Sequence, residues 1–152
     1  MATRDDAPRD ATAITSAANQ AVLDALPFDD VADFEDARRG FLGILEDKKS
    51  ADRPSVRAAA WAGLGEAYYL RPSPDKREAL FACLRVPYLY ADEKDEMPKA
   101  LYYAAHSYSA LADAETDVEK QKVAKSRVGE LWKRLKNEYA GTPWAEKSPP
   151  KR

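Results

Sequence analysis

Between residues 12 and 145 the apolar side chains recur at intervals of three and four, and most runs of that spacing stop at a Pro or a Gly. That punctuation constrains the fold more than any single motif. The first run, 12–26, carries Ile14, Ala18, Val22, Ala25 and Leu26 on one stripe and stops at Pro27. A second opens after Asp29 or Asp30, whose carboxylates suit free first-turn amides, and buries Val31, Phe34, Phe41, Leu42 and Leu45. After a loop at 48–53, a third begins near Asp52 with Pro54 in its first turn and repeats through Val56, Ala60, Leu64, Ala67 and Leu70. The fourth runs from Asp75 through Leu80, Cys83 and Leu84, with Pro87 expected to kink or end it. The fifth starts at Met97 and Pro98 and carries Leu101, Ala104, Ala105, Tyr108 and Leu111. The sixth covers 117–139 through Val128, Leu131, Trp132, Leu135 and Tyr139, with Gly141 expected as a left-handed cap. The spacing predicts an all-α fold in which six helices and short loops make three antiparallel hairpins.

Composition agrees and narrows the classes. With 152 residues the chain has room for one domain and a core that needs no staples. Its apolar positions are spent on Ala, Leu and Tyr rather than Ile and Val, which favours helix over sheet. One Cys and one His cannot form an internal disulfide or a zinc ligand set, so disulfide scaffolds and His-cluster metal sites are excluded and no cofactor is expected. A net charge of -2 argues against nucleic acid and anionic membrane as partners. The charge is graded along the chain, from -5 over residues 1–50 to +3 over 101–152, which would suit head-to-tail self-association. Residues 1–10 and 146–152 are polar, unpatterned and expected as disordered tails. No apolar segment opens the chain and none approaches the length of a membrane span, so a cytoplasmic protein is expected.

One stretch is more specific. Trp61-Ala62-Gly63-Leu64-Gly65-Glu66-Ala67-Tyr68 reads W-x2-L-G-x2-Y, and 40 positions later Leu101, Ala104, Ala105 and Tyr108 stand in the same register. A small residue at Gly65 or Ala105 lets a paired helix approach, while Trp61, Leu64, Tyr68, Leu101 and Tyr108 fill the space between hairpins. Ala79 and Cys83 stand near the small positions of the paired helix. The run Asn137-Glu138-Tyr139-Ala140-Gly141-Thr142-Pro143-Trp144 has Ala140 where the corresponding bacterial run has Pro. Residues 53–145 thus resemble two tetratricopeptide-repeat hairpins. That resemblance implies a right-handed stack with a concave face that binds a protein or peptide.

A second resemblance lies upstream. Ala18-Asn19-Gln20-Ala21-Val22, Leu26-Pro27-Phe28-Asp29-Asp30 and Asp33-Phe34-Glu35-Asp36-Ala37-Arg38-Arg39-Gly40-Phe41-Leu42 are similar, in order and spacing, to the N-terminal segment of bacterial alkyl sulfatases of the metallo-β-lactamase superfamily. In that family the segment precedes a catalytic domain whose zinc pair depends on an HxHxDH motif. This chain lacks the motif, because His106 is its only histidine, so no catalytic role carries over. Residues 11–46 are expected as an N-terminal helical hairpin that caps the stack. The resemblance implies an alternative function, an accessory or degenerate component that docks onto a sulfatase or mimics its leader.

No residue set calls for catalysis, and a non-enzymatic interaction module is expected. Gly63-x-Gly65-x-x-Tyr68 is a near miss to a dinucleotide fingerprint, without the strand that should precede it. The acidic run 92–96 lacks the mid-loop Gly and terminal Glu of an EF-hand. A proton shuttle at His106 would need a nucleophile or carboxylate brought in by the fold. Cys83 falls in an apolar register and suits a small buried side chain. The tyrosines are less even-handed: seven of the eight fall between 68 and 108. A helix buries one face, so Tyr68 and Tyr108 are expected in packing, and Tyr69, Tyr102, Tyr103 and His106 on the partner-binding surface. Lys120, Lys122, Lys125, Lys133, Arg134 and Lys136 suit a solvated face or a dock for an acidic peptide.

Overall fold

The computed structural model of the chain describes residues 31–147 and 149–150. Among them stand five α-helices and no strand: α1 Val31–Glu46, α2 Pro54–Leu70, α3 Lys76–Leu89, α4 Met97–Ala114 and α5 Val118–Glu138. A 3-10 turn, Lys48–Ser50, joins α1 to α2. The described residues are all-helical, as the spacing predicts, and the helix expected over 12–26 lies outside them.

The ends follow from local chemistry. Asp75 accepts the Glu78 amide at 3.0 Å and Asp117 accepts the Lys120 amide at 3.0 Å, so the first turns of α3 and α5 are capped by carboxylates. Pro54 and Pro98 occupy first turns, where a missing amide costs nothing. Two expected stops are corrected. Pro87 does not end α3, because it sits in the last turn, where only the bond to the Cys83 carbonyl is forfeited. The Tyr90 amide still reaches the Val86 carbonyl at 2.8 Å. Gly141 is not a left-handed cap: α5 closes when the Tyr139 amide donates to the Leu135 carbonyl at 3.1 Å, and the chain then turns by a bond from the Thr142 amide to the Tyr139 carbonyl.

Each helix packs on the next in sequence, and α2 also packs on α4. The core has two parts. Phe34, Phe41 and Ile44 of α1 meet Val56, Ala60, Leu64 and Ala67 of α2. Leu80, Cys83 and Val86 of α3 meet Met97, Leu101 and Ala104 of α4 and Leu135 of α5. Val31, expected inside, is 58% exposed, and Ile44 is buried in its stead. Of the five residues expected inside α5 only Leu135 is fully buried; Val128, Leu131, Trp132 and Tyr139 are half-covered, since this helix has a neighbour on one side.

The repeat-packing residues divide by depth. Leu64, Gly65, Leu101 and Ala105 are buried, while Trp61, Tyr68 and Tyr108 are half-buried. Gly65 is required by contact: a Cβ there would collide with Cys83 Sγ and stand 3.1 Å from the Ala79 carbonyl oxygen and 3.2 Å from the Cys83 amide nitrogen. Hence α2 and α3 approach across Gly65, Ala79 and Cys83. Arg57 ties the α1–α2 connection together, donating to the Leu45 carbonyl at 2.9 Å and the Tyr90 hydroxyl at 3.1 Å. The Ser50 hydroxyl serves the Ile44 carbonyl at 2.6 Å, so the C-terminal carbonyls of α1 are satisfied by side chains.

Candidate functional site

The other face of α2 meets α4 through polar and aromatic groups. Glu66 and Tyr69 lie three positions apart, as do Lys99 and Tyr102, with Tyr103 and His106 following on α4. Three- and four-residue spacings stack side chains on one helix face, so two short stripes confront each other. Their deepest members are charged. The Glu66 carboxylate is fully buried, and its Oε1 stands 3.4 Å from Lys99 Nζ, an ion pair with both side chains almost out of solvent. The carboxylate also faces the Tyr103 hydroxyl, and on α4 the buried Ser107 hydroxyl oxygen has no hydrogen-bond partner.

That carboxylate shapes its surroundings. Burial pushes the Tyr103 hydroxyl well above its usual range, with the Glu66 charge adding to the shift. The Cys83 thiol, fully enclosed, is raised by burial first and by Glu66 second. It therefore persists as a neutral thiol, the opposite of what a nucleophile needs. Burial also raises Glu96, with Lys99 opposing.

Above this charged floor lies a continuous aromatic layer. Tyr69 meets Tyr103 in a tilted contact at 5.2 Å, and Tyr102 meets His106 at 4.4 Å and Trp144 at 5.3 Å between ring centroids. Trp132 of α5 closes the layer 6.0 Å from His106. Lys76 sits 3.5 Å over the Tyr69 ring and Lys147 4.3 Å over Trp144, so both edges carry cation–π contacts. Burial lowers Lys76 and raises the Tyr69 and Tyr102 hydroxyls.

The expected partner-binding residues thus come together, with one change of place. Tyr69, Tyr102 and His106 are half-exposed, whereas Tyr103 is 5% exposed and lies beneath the surface, between Glu66 and Trp144. Beside the layer are two clefts. One, about 410 Å³, is lined by Tyr69, His106, Ser109 and Asp113; the other, about 480 Å³, by Ser109, Lys125, Val128 and Trp132. The α5 cations behave as expected of a solvated face: Lys122 pairs with Glu119 and Arg134 with Glu138. Lys136 instead donates to the Ala145 carbonyl at 2.8 Å, fastening the segment after α5.

Sequence reasoning missed Glu66, Lys99, Trp132 and Trp144. A signal for Glu66 existed, since it falls one turn beyond Ala62 and Gly63 in a row of small buried residues. A third cleft, about 630 Å³, opens where Phe81, Tyr88 and Leu89 of α3 remain exposed beside Trp61 and Arg38. The expected sulfatase-like residues within α1 have packing roles: Phe34 and Phe41 fill the core, and Arg38 donates to the Tyr68 hydroxyl at 3.1 Å.

Chemically, the layer offers flat amphipathic rings, two flanking cations and no activated nucleophile. Among the described residues no three His, Cys, Asp or Glu side chains cluster to hold a metal ion, and no helix is long and apolar enough to cross a membrane. Comparison with family models, with characterised proteins and with solved structures finds no match.

Proposed function

We propose that the chain is a non-enzymatic interaction module that binds a protein or peptide on the aromatic face shared by α2 and α4. In this reading α2 with α3 and α4 with α5 are two tetratricopeptide-like hairpins in a right-handed stack, and α1 is the second helix of a preceding one. The packing of α2 on α4, first helix against first helix, supports the stacking, as does the glycine-sized contact at Gly65. The single observation that carries the function is that Tyr69, Tyr102, His106 and Trp132 stay half-exposed in one contiguous layer between two clefts. Aromatic rings held by their neighbours bury much area on binding at little cost in side-chain freedom. Tyr103 and Glu66 with Lys99 are the support of that face, and the ligand touches Tyr69, Tyr102 and His106.

The test is a peptide library presented to the full chain and to its Tyr69→Ala and Tyr102→Ala variants. Selected peptides should bind the parent chain and lose about tenfold or more in affinity against either variant, while the helical circular dichroism is unchanged. If no peptide is selected, or binding is indifferent to both substitutions, the reading fails.

A further inference from the structure

The segment after α5 does not leave the molecule. Trp144 packs on Tyr102 and Tyr103, Ala145 is fully buried, and the chain then brings Pro149 and Pro150 to the two clefts beside Ser109. Both prolines line both clefts, and Pro150 is buried while Pro149 stays exposed. A stretch expected from its polarity to be a tail therefore places a diproline in the wall of one cleft with Tyr69 and His106 and of the other with Trp132.

Two physical features suit proline to that place. Its ring fixes φ, so little backbone freedom is lost on docking, and it has no amide hydrogen to leave unsatisfied when covered. Its flat, apolar ring also matches aromatic faces, the basis of recognition of extended proline-rich segments in aromatic-lined grooves. The clefts on either side of the pair keep about 480 and 410 Å³ unfilled, so the groove has room for more than the segment it holds.

We infer that the groove between α2, α4 and α5 is a binding site for extended peptide segments bearing consecutive prolines, and that Pro149 and Pro150 occupy it in cis until a partner's segment displaces them. The inference rests on the interaction reading above and specifies its ligand. A tethered occupant acts at an effective concentration on the order of millimolar, so it competes with any ligand of ordinary affinity.

The experiment compares the full chain with its Pro149→Ala/Pro150→Ala variant, and with Pro150→Ala alone should the double variant lose helical signal. Each is titrated with a synthetic peptide of residues 145–152 and with the same peptide carrying Ala for both prolines, following the indole resonances of Trp132 and Trp144. The diproline peptide should bind the variant about tenfold more tightly than the parent chain, the alanine peptide should not bind, and Trp132→Ala in the variant should abolish the response that remains observable at the Trp144 indole. Equal affinity for parent and variant would overturn cis occupancy, and equal binding of the two peptides would overturn proline selectivity. A panel of proline-free peptides separates this failure from the broader one. If such peptides bind in a Tyr69-dependent way, the interaction surface stands and the diproline assignment falls; if nothing binds the variant at all, both fall.

Discussion

Gly65 and Glu66 are adjacent in α2 and solve opposite packing problems. Toward α3 the helix presents a glycine against Ala79 and Cys83, with no space for one more carbon. Toward α4 it presents the buried Glu66 carboxylate and Tyr69, which meet Lys99 and the rings of α4. The first contact is centred on small residues, with Lys76 over the Tyr69 ring and Arg85 over the Trp61 ring at its edges. The second needs a charge neutralised before it can close, and its rings cannot all be covered by two helices. Close packing at Gly65 leaves no room at that point, and the cleft beside it opens only where Phe81, Tyr88 and Leu89 of α3 stay exposed, whereas the polar contact leaves an edge of half-covered tyrosines. The aromatic layer accordingly lies on the α4 side of α2.

Substitutions can break each side separately. The largest effect is expected from Lys99→Met, which leaves Glu66 buried without its counter-charge: unfolding in urea should show a loss of about 3–5 kcal/mol. A loss below about 1 kcal/mol would mean that the carboxylate is compensated by something other than Lys99. Next comes Gly65→Ala, which should cost about 1–3 kcal/mol by overpacking. Adding Cys83→Ala should return part of that, because Sγ is the atom first struck; no recovery would place the strain on the Ala79 carbonyl. Tyr102→Ala should cost a comparable amount, about 0.5–1.5 kcal/mol for each of its pairings with Tyr103 and Trp144, and should leave the α2–α3 contact intact.

The smallest effect concerns pH. Burial raises the Glu96 carboxyl, so its protonated form favours the fold. That contribution is complete below the carboxyl's unfolded pKa and is lost as pH rises through its raised folded value. The stability difference between parent chain and Glu96→Gln should therefore shift in favour of the variant across that interval. A difference independent of pH would show that Glu96 titrates alike in both states.

Much of the helical frame was legible because its signals are local. Asp75, Asp117, Pro54 and Pro98 mark starts through backbone chemistry that needs no neighbour. Stops were harder to read. Pro87 forfeits one bond wherever it stands, and only its place in the final turn makes that loss tolerable. The tyrosines of the site were found through their density and helical phase, which is one-dimensional information. What could not be read was depth. Tyr102 and Tyr103 are consecutive, and only distant partners, Tyr69 of α2 over Tyr103 and Trp144 beside both, put one beneath the other. For Glu66 the row of small residues around it hinted at depth, but that Lys99 lies opposite could not be read.

The single cysteine has a use beyond packing. Cys83 is wholly enclosed and its thiol is held protonated, so a thiol reagent in solution has no route to a reactive sulfur while α2 and α3 stay together. Modification then proceeds through openings of that contact. With reclosing fast, the labelling rate reports the free energy of opening; with reagent in excess, it reports the opening rate itself. The chain carries its own clock, wound at Gly65, and any partner that steadies the helices will be seen to slow it.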